Sequence, residues 1–165
     1  MLKTFIKNKE YLRSILFGIE DSLISTTGFL AGVTVGTNDK HIIIISVLIA
    51  ITIEGTSMGV GEYLSDEALE DLDKLKRHKD NPLLSGAFLC ISYILAGLVP
   101  FAPTIFLNFP YSLFVSLLLA LLALFLLGFL KGKLLKTSAV RGGIKILVVG
   151  GITTILGMIV GFLIK

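Results

Sequence analysis

Glu54, Met58 and Glu62 stand at four-residue intervals in the run ITIEGTSMGVGEYLSDE, residues 51–67. Side chains four apart share one face of a helix, so the three form a stripe. Two carboxylates and a thioether make a mixed hard and soft ligand set. Oxygen ligands alone suit Mg²⁺ or Ca²⁺; a methionine sulfur tilts the set toward a first-row transition metal. Fe²⁺, Mn²⁺ and Co²⁺ fit it. No Cys or His lies beside the stripe, which argues against a tight structural Zn²⁺ site. Two more acids, Glu20 and Asp21, interrupt the apolar segment SILFGIEDSLISTTGFLAGVTVG, residues 14–36. Carboxylates held away from water can take up protons as well as cations, so metal and proton would compete for one site.

The elements that carry these acids are membrane spans. The chain has 165 residues, of which 54% are hydrophobic and 16% charged. Its mean hydropathy is +0.89. A soluble domain this small cannot bury that much apolar surface. The fold class is therefore all-α, a polytopic integral membrane protein of one domain over residues 1–165. At about 20 residues per crossing, five spans are expected, at roughly 14–36, 41–64, 83–107, 111–130 and 142–164. No A-x-A-like cleavage site follows the first apolar segment, so it is expected to be a retained span rather than a signal peptide. An isolated Cys90 cannot form an internal disulfide, and it reads as a small packing residue.

The basic residues orient these spans. Lys3, Lys7, Lys9 and Arg13 precede the first. Lys74, Lys76, Arg77 and Lys79 lie between the second and third. Lys131, Lys133, Lys136, Arg141 and Lys145 lie between the fourth and fifth. Thirteen of the fifteen Lys and Arg residues thus fall on one side, leaving Lys40 and Lys165 for the other. The positive-inside rule makes that side, and the N-terminus, cytoplasmic. The net charge of +3 is a topology signal, not a sign of nucleic-acid binding.

Spans one and two are then antiparallel neighbours joined by GTNDKH. A rise of about 1.5 Å per residue puts Asp21 about 10 Å inside the cytoplasmic boundary, Met58 about 9 Å and Glu54 about 15 Å. Asp21 and Met58 can meet at one level, with Glu54 a turn deeper and Glu62 at the cytoplasmic mouth. An Asp at the centre of a span costs about 2.5–3.5 kcal/mol on insertion, and such acids mark ion pathways by default. Packing offers the alternative. A Met is a common gap-filler, and Lys145 could neutralise Glu62 or Asp21.

Small residues recur at four-residue spacing in three spans: Gly28, Gly32 and Gly36; Gly55 and Gly59, with Ser57 and Gly61; Gly157 and Gly161. They let helices approach closely, either within the chain or across a dimer seam. Residues 55–59 also match G-x-S-x-G. A nucleophile elbow needs a strand, a sharp turn and a His, whereas here the pattern lies in a helix, with His41 and His78 in loops on opposite sides. The chain is not read as an enzyme. The acidic connection after span two, with Asp66, Glu67, Glu70, Asp71 and Asp73, reads as a solvated helical extension, or as a weak metal-collecting surface.

These motifs resemble a known family. Gly18-Ile19-Glu20-Asp21-Ser22-Leu23 is similar to the G-x-x-D-G-L stretch of vacuolar iron transporters (the VIT family). Ser57-Met58-Gly59-Val60-Gly61-Glu62-Tyr63-Leu64-Ser65 resembles the family's S-M-x-x-G-E-Y-x-S. Asn81-Pro82 and the Gly-rich fifth span also fit, so the likeness runs in order along nearly the whole chain. The resemblance implies a dimeric exporter of Fe²⁺, often also Mn²⁺, from the cytosol in exchange for protons. It maps the ion path onto Asp21 and Met58, and the cytoplasmic mouth onto Glu62. Two departures stand out. The long cytoplasmic insert with metal-binding glutamates is reduced to about residues 65–81. A glutamate that some members carry two turns before the methionine is Ala50 here, and Glu54, one turn before it, is the candidate substitute. Glu20 replaces a residue that is usually uncharged.

The combined expectation is a multi-pass membrane protein, in the plasma membrane of a prokaryote or a vacuolar or organellar membrane of a eukaryote. It is expected to be a homodimer that exports a divalent transition metal by proton antiport. Asp21, Glu54, Met58, Glu62 and Glu20 are the candidate metal residues, the metal is substrate, and no cofactor is expected. The alternative is a non-transporting membrane scaffold whose acids are neutralised. A third reading is a transporter for another small cation or solute.

Overall fold

Five helices follow one another in a computed structural model that describes residues 9–37, 39–72 and 81–165. They are α1 (Lys9–Gly36), α2 (Lys40–Leu72), α3 (Pro82–Phe106), α4 (Tyr111–Leu134) and α5 (Ala139–Ile164). Lys3, Lys7, Asp73, His78 and the bases between Lys74 and Lys79 lie outside the described residues. Inside a bilayer every backbone N–H and C=O must find a partner within its own segment, which is why uninterrupted apolar sequence becomes helix. The shortest of the five has 24 residues, enough to cross about 30 Å of hydrocarbon.

The ends are set by local chemistry. Asp39 caps α2: its Oδ1 accepts from the backbone N–H of His41 at 2.8 Å and of Ile42 at 3.2 Å. Asn81 caps α3 through Oδ1 to Leu83 N–H at 3.0 Å, with Pro82 in the first turn. Asn81 N–H donates to the Tyr11 hydroxyl at 2.9 Å and ties the start of α3 to the start of α1. Several hydroxyls within the spans return to their own helix, as Thr52 does to Leu48 O and Thr154 to Gly150 O.

Among the described residues, four helices are long and apolar enough to cross a membrane by length and composition: α2, α3, α4 and α5. Helix α1 is 28 residues long, but Glu20, Asp21 and its hydroxyl-bearing residues dilute its apolar character. The packing accounts for this. Helix α1 touches all four other helices, so much of its surface meets protein rather than lipid. Its Leu23 packs with Ala96, Leu124, Leu127 and Ile146 toward one end. Its Leu30 packs with Ile43, Val47, Ile51 and Phe101 toward the other.

Glycine seams draw the bundle together. The Gly28, Gly32 and Gly36 face of α1 lies on Thr153, Gly157 and Gly161 of α5, so this stripe is an intrachain contact. Gly128 and Gly142 do the same for α4 and α5. On α2, Gly55 and Gly59 face α3: a Cβ on Gly59 would stand 2.7 Å from both Gly86 O and Cys90 Cβ. Without a hydrophobic driving force between helices in lipid, such close backbone approach is a main source of association. Past the bundle, α2 continues to Leu72 with an exposed acidic surface, and Tyr63 Oη donates to Glu67 Oε1 at 2.8 Å one turn on.

Candidate ion-binding site

The α2 glycines decide where the acid stripe points. Gly55 and Gly59 follow Glu54 and Met58 by one position, so they lie about 100° around the helix. With the glycines buried against α3, the half-buried Glu54, Glu62 and Asp66 reach α1 along the edge of the contact, and the half-buried Met58 shares their stripe. Two cross-helix hydrogen bonds set the register. Ser14 Oγ donates to Glu62 Oε1 at 2.6 Å, and Ser25 Oγ donates to Glu54 Oε2 at 3.2 Å. Asp21 lies between Ser14 and Ser25 on α1, as Met58 lies between Glu62 and Glu54 on α2. The two residues therefore occupy the same middle stretch of the antiparallel pair.

Helix α3 completes the inner end. It approaches α1 where a Cβ on Gly18 would stand 2.7 Å from Leu89 O, and Ser22 Oγ donates to Tyr93 O at 2.6 Å. Gly55 leaves room for the Tyr93 ring, whose Cδ1 would lie 3.1 Å from a Cβ there. Tyr93 is 0% exposed. Its hydroxyl donates to Glu54 Oε2 and lies 2.6 Å from Ser25 Oγ. Both hydroxyls thus converge on one carboxylate oxygen, and Oε1 has no hydrogen-bond partner among the described residues. Ser25 and Tyr93 are the residues that sequence reasoning missed. Ser25 stands four residues after Asp21 on the same face, which is a legible signal; Tyr93 is a polar aromatic deep in an apolar span.

Two of the other acids, Glu62 and Glu20, have cationic partners. Arg13 Nη2 lies 2.8 Å from Glu62 Oε1, and Lys131 Nζ of α4 lies 2.5 Å from Glu20 Oε2. The expected neutralising residue, Lys145, makes neither pair. It lines a smaller cavity together with Glu20 and Lys131. Asp21 makes no hydrogen bond or ion pair among the described residues, although Glu54 and Glu20 are both within electrostatic reach. Among the described residues no group of three or more His, Cys, Asp or Glu converges tightly enough to hold a metal ion. The acids form a file along α1 and α2, not a cage.

Open space continues the file in both directions. Toward the basic end a cavity of about 680 Å³ is lined by Lys9, Arg13, Ser14, Phe17, Glu20, Glu62 and Lys131. Toward the other end a groove of about 620 Å³ runs between α1 and α5 from Ser25 and Glu54 to Thr37 and Ile164. Asp21 and Met58 line neither and stand between them.

This architecture is that of a multi-pass integral membrane protein with an ionisable file along its central helix. The sequence profile of the VIT family matches residues 12–79 and 67–162, two segments that overlap from the last turns of α2 onward. The chain belongs to the VIT family and is a membrane transporter, not an enzyme. It is similar to Vacuolar iron transporter homolog 2 of Arabidopsis thaliana, 24% identical over 173 residues, covering 93% of this chain and 88% of the relative. Vacuolar iron transporter homolog 1 of the same plant is 23% identical, covering 88% and 79%. VIT-like transporter 1b of Glycine max is 23% identical, covering 90% and 73%.

Proposed function

We propose that this protein exports a divalent transition metal, Fe²⁺ or Mn²⁺, from the cytosol, with protons moving the other way. Iron enters this reading through the names of the relatives, and manganese through the donor set. The observation that carries it is Glu54. This carboxylate lies deep in α2, with two hydroxyls on one oxygen and no hydrogen-bond partner for the other among the described residues, on the same helix face as Met58. Metal would meet Glu62 first, pass the level of Asp21 and Met58, and reach Glu54 before leaving along the α1–α5 groove. Each carboxylate can hold a proton when the metal has gone, which is the basis for exchange. All five helices cross the bilayer in this reading, with the N-terminus cytoplasmic.

A homodimer fits the same geometry. The stripe lies at the edge of the α1–α2 contact, and among the described residues three acids do not converge within one chain. A second copy over this edge would double the donors and shield them from lipid.

One observation favours the scaffold reading: Glu20, Glu54 and Glu62 all have partners within the chain. Asp21 speaks against it, since a scaffold has no use for an unpaired acid at that depth. Purified protein in liposomes containing a metal-quenched dye decides between them. Transport predicts entry of Fe²⁺ or Mn²⁺ that depends on a pH gradient and is lost in Asp21→Ala and in Met58→Ala. Unchanged flux in both variants would remove the site assignment. A folded wild-type protein that moves no ion would leave the scaffold.

A further inference from the structure

Glu62, placed above at the cytoplasmic mouth, is already holding a cation. Arg13 Nη2 lies 2.8 Å from its Oε1 and 3.8 Å from Asp66 Oδ1, while Arg13 Nε lies 3.7 Å from Glu10 Oε2. One guanidinium therefore serves three carboxylates from two helices. The exposures give the contact a direction: the Arg13 side chain is 60% exposed, and that of Glu62 only 13%. The guanidinium sits on the solvent side and the carboxylate behind it. Both line the 680 Å³ cavity at the basic end. A metal ion arriving from that side meets the guanidinium before it meets Glu62.

We propose that Arg13 is a tethered cation that competes with incoming metal for Glu62, and so sets the metal concentration at which the transporter fills. This rests on the transport reading and adds to it a residue that tunes affinity. The physical balance suits such a role. Arginine stays charged at every physiological pH, so only a competing cation or a rotamer change can vacate the carboxylate. An ion pair exposed on one side is weak, so displacement is cheap. Ser14 Oγ holds the same Glu62 oxygen at 2.6 Å and keeps the carboxylate in place when the guanidinium leaves. The attachment of Arg13 one residue from Ser14 keeps it available to re-close the site.

The test is the dependence of flux on Mn²⁺ concentration in liposomes, for wild type, Arg13→Gln and Arg13→Lys, beside Mn²⁺ binding in detergent followed by loss of the free-ion paramagnetic resonance signal. Removing the competitor should lower the half-saturating Mn²⁺ concentration in both assays by about two- to five-fold, with maximal flux unchanged. Arg13→Lys keeps the charge and should fall between. Wild-type flux with an unchanged or raised half-saturation in Arg13→Gln would overturn the proposal and leave the transport reading standing. So would an Arg13→Gln protein that no longer folds, since Arg13 would then be a structural clasp. Absence of wild-type flux would instead sink the transport reading, and this proposal with it.

Discussion

The Tyr93 hydroxyl of α3 donates a hydrogen bond to Glu54 Oε2 of α2, across a gap that Gly55 keeps open. This contact joins a buried aromatic to the deepest acid of the stripe and makes the geometry of Glu54 depend on α3. Tyr93→Phe keeps the ring and removes the donor. Ser25 still reaches the carboxylate, so the fold should survive. A hydrogen bond to a charged group contributes about 1.5–3 kcal/mol, and the thermal midpoint in detergent should fall accordingly. Metal flux should drop with it. Wild-type flux in Tyr93→Phe would show that the hydroxyl positions nothing the ion uses.

Asp21→Asn separates stability from transport. The wild-type carboxylate has no hydrogen-bond or ion-pair partner among the described residues, and it sits near two other acids. Neutralising it removes an unfavourable charge from the bundle, so stability should hold or rise. Flux should nevertheless be lost. A destabilised Asp21→Asn protein would mean that the acid has a structural partner.

The Lys131–Glu20 pair should behave as a coupled unit. Lys131→Met or Glu20→Gln alone strands one charge beside the 680 Å³ cavity. The double variant strands none. A double-mutant cycle on unfolding should return a coupling of about 1 kcal/mol, since both side chains are partly exposed. Additive single effects would show that the contact is incidental.

The α1–α5 seam should tolerate no added methyl group. A Cβ on Gly157 would stand 2.8 Å from the Gly28 carbonyl carbon, and backbone cannot swing aside as a side chain can. Gly157→Ala should cost about 1–3 kcal/mol, as overpacking does. Gly151 on the same helix has nothing within 4 Å of its Cβ position. Gly151→Ala should be neutral or slightly stabilising. Equal effects at the two positions would refute the seam.

Topology can be read by labelling. In a Cys90→Ser background, Lys136→Cys should react with a membrane-impermeant thiol reagent only from the cytoplasmic side. Asn108→Cys, at the Lys40 end of the bundle, should react only from the other side. The reverse pattern would overturn the orientation that the thirteen clustered bases imply.

Helix type and approximate position were legible in the sequence because a bilayer leaves a backbone few other ways to satisfy itself. The stripe Glu54, Met58 and Glu62 was legible because helical spacing alone puts it on one face. The weak apolarity of α1 was visible too, but its reason was not: only the bundle shows that α1 is the helix surrounded by the others. Likewise the glycine patterns announced close approach without naming partners. That Gly32 meets Gly157, and Gly59 meets Gly86, is settled by which helices become neighbours.

What the sequence determined by itself is local: hydropathy, helical period, charge asymmetry and the motifs that fall along them. Each depends on residues within a few turns of one another. What the tertiary structure decided is which charge meets which. Arg13 rather than Lys145 faces Glu62, Lys131 takes Glu20, and Tyr93 reaches Glu54 from a helix about forty residues away in the chain. Hydrogen bonds and close ion pairs need contact within a few ångströms, so these pairings follow helix packing and rotation, which no local pattern encodes.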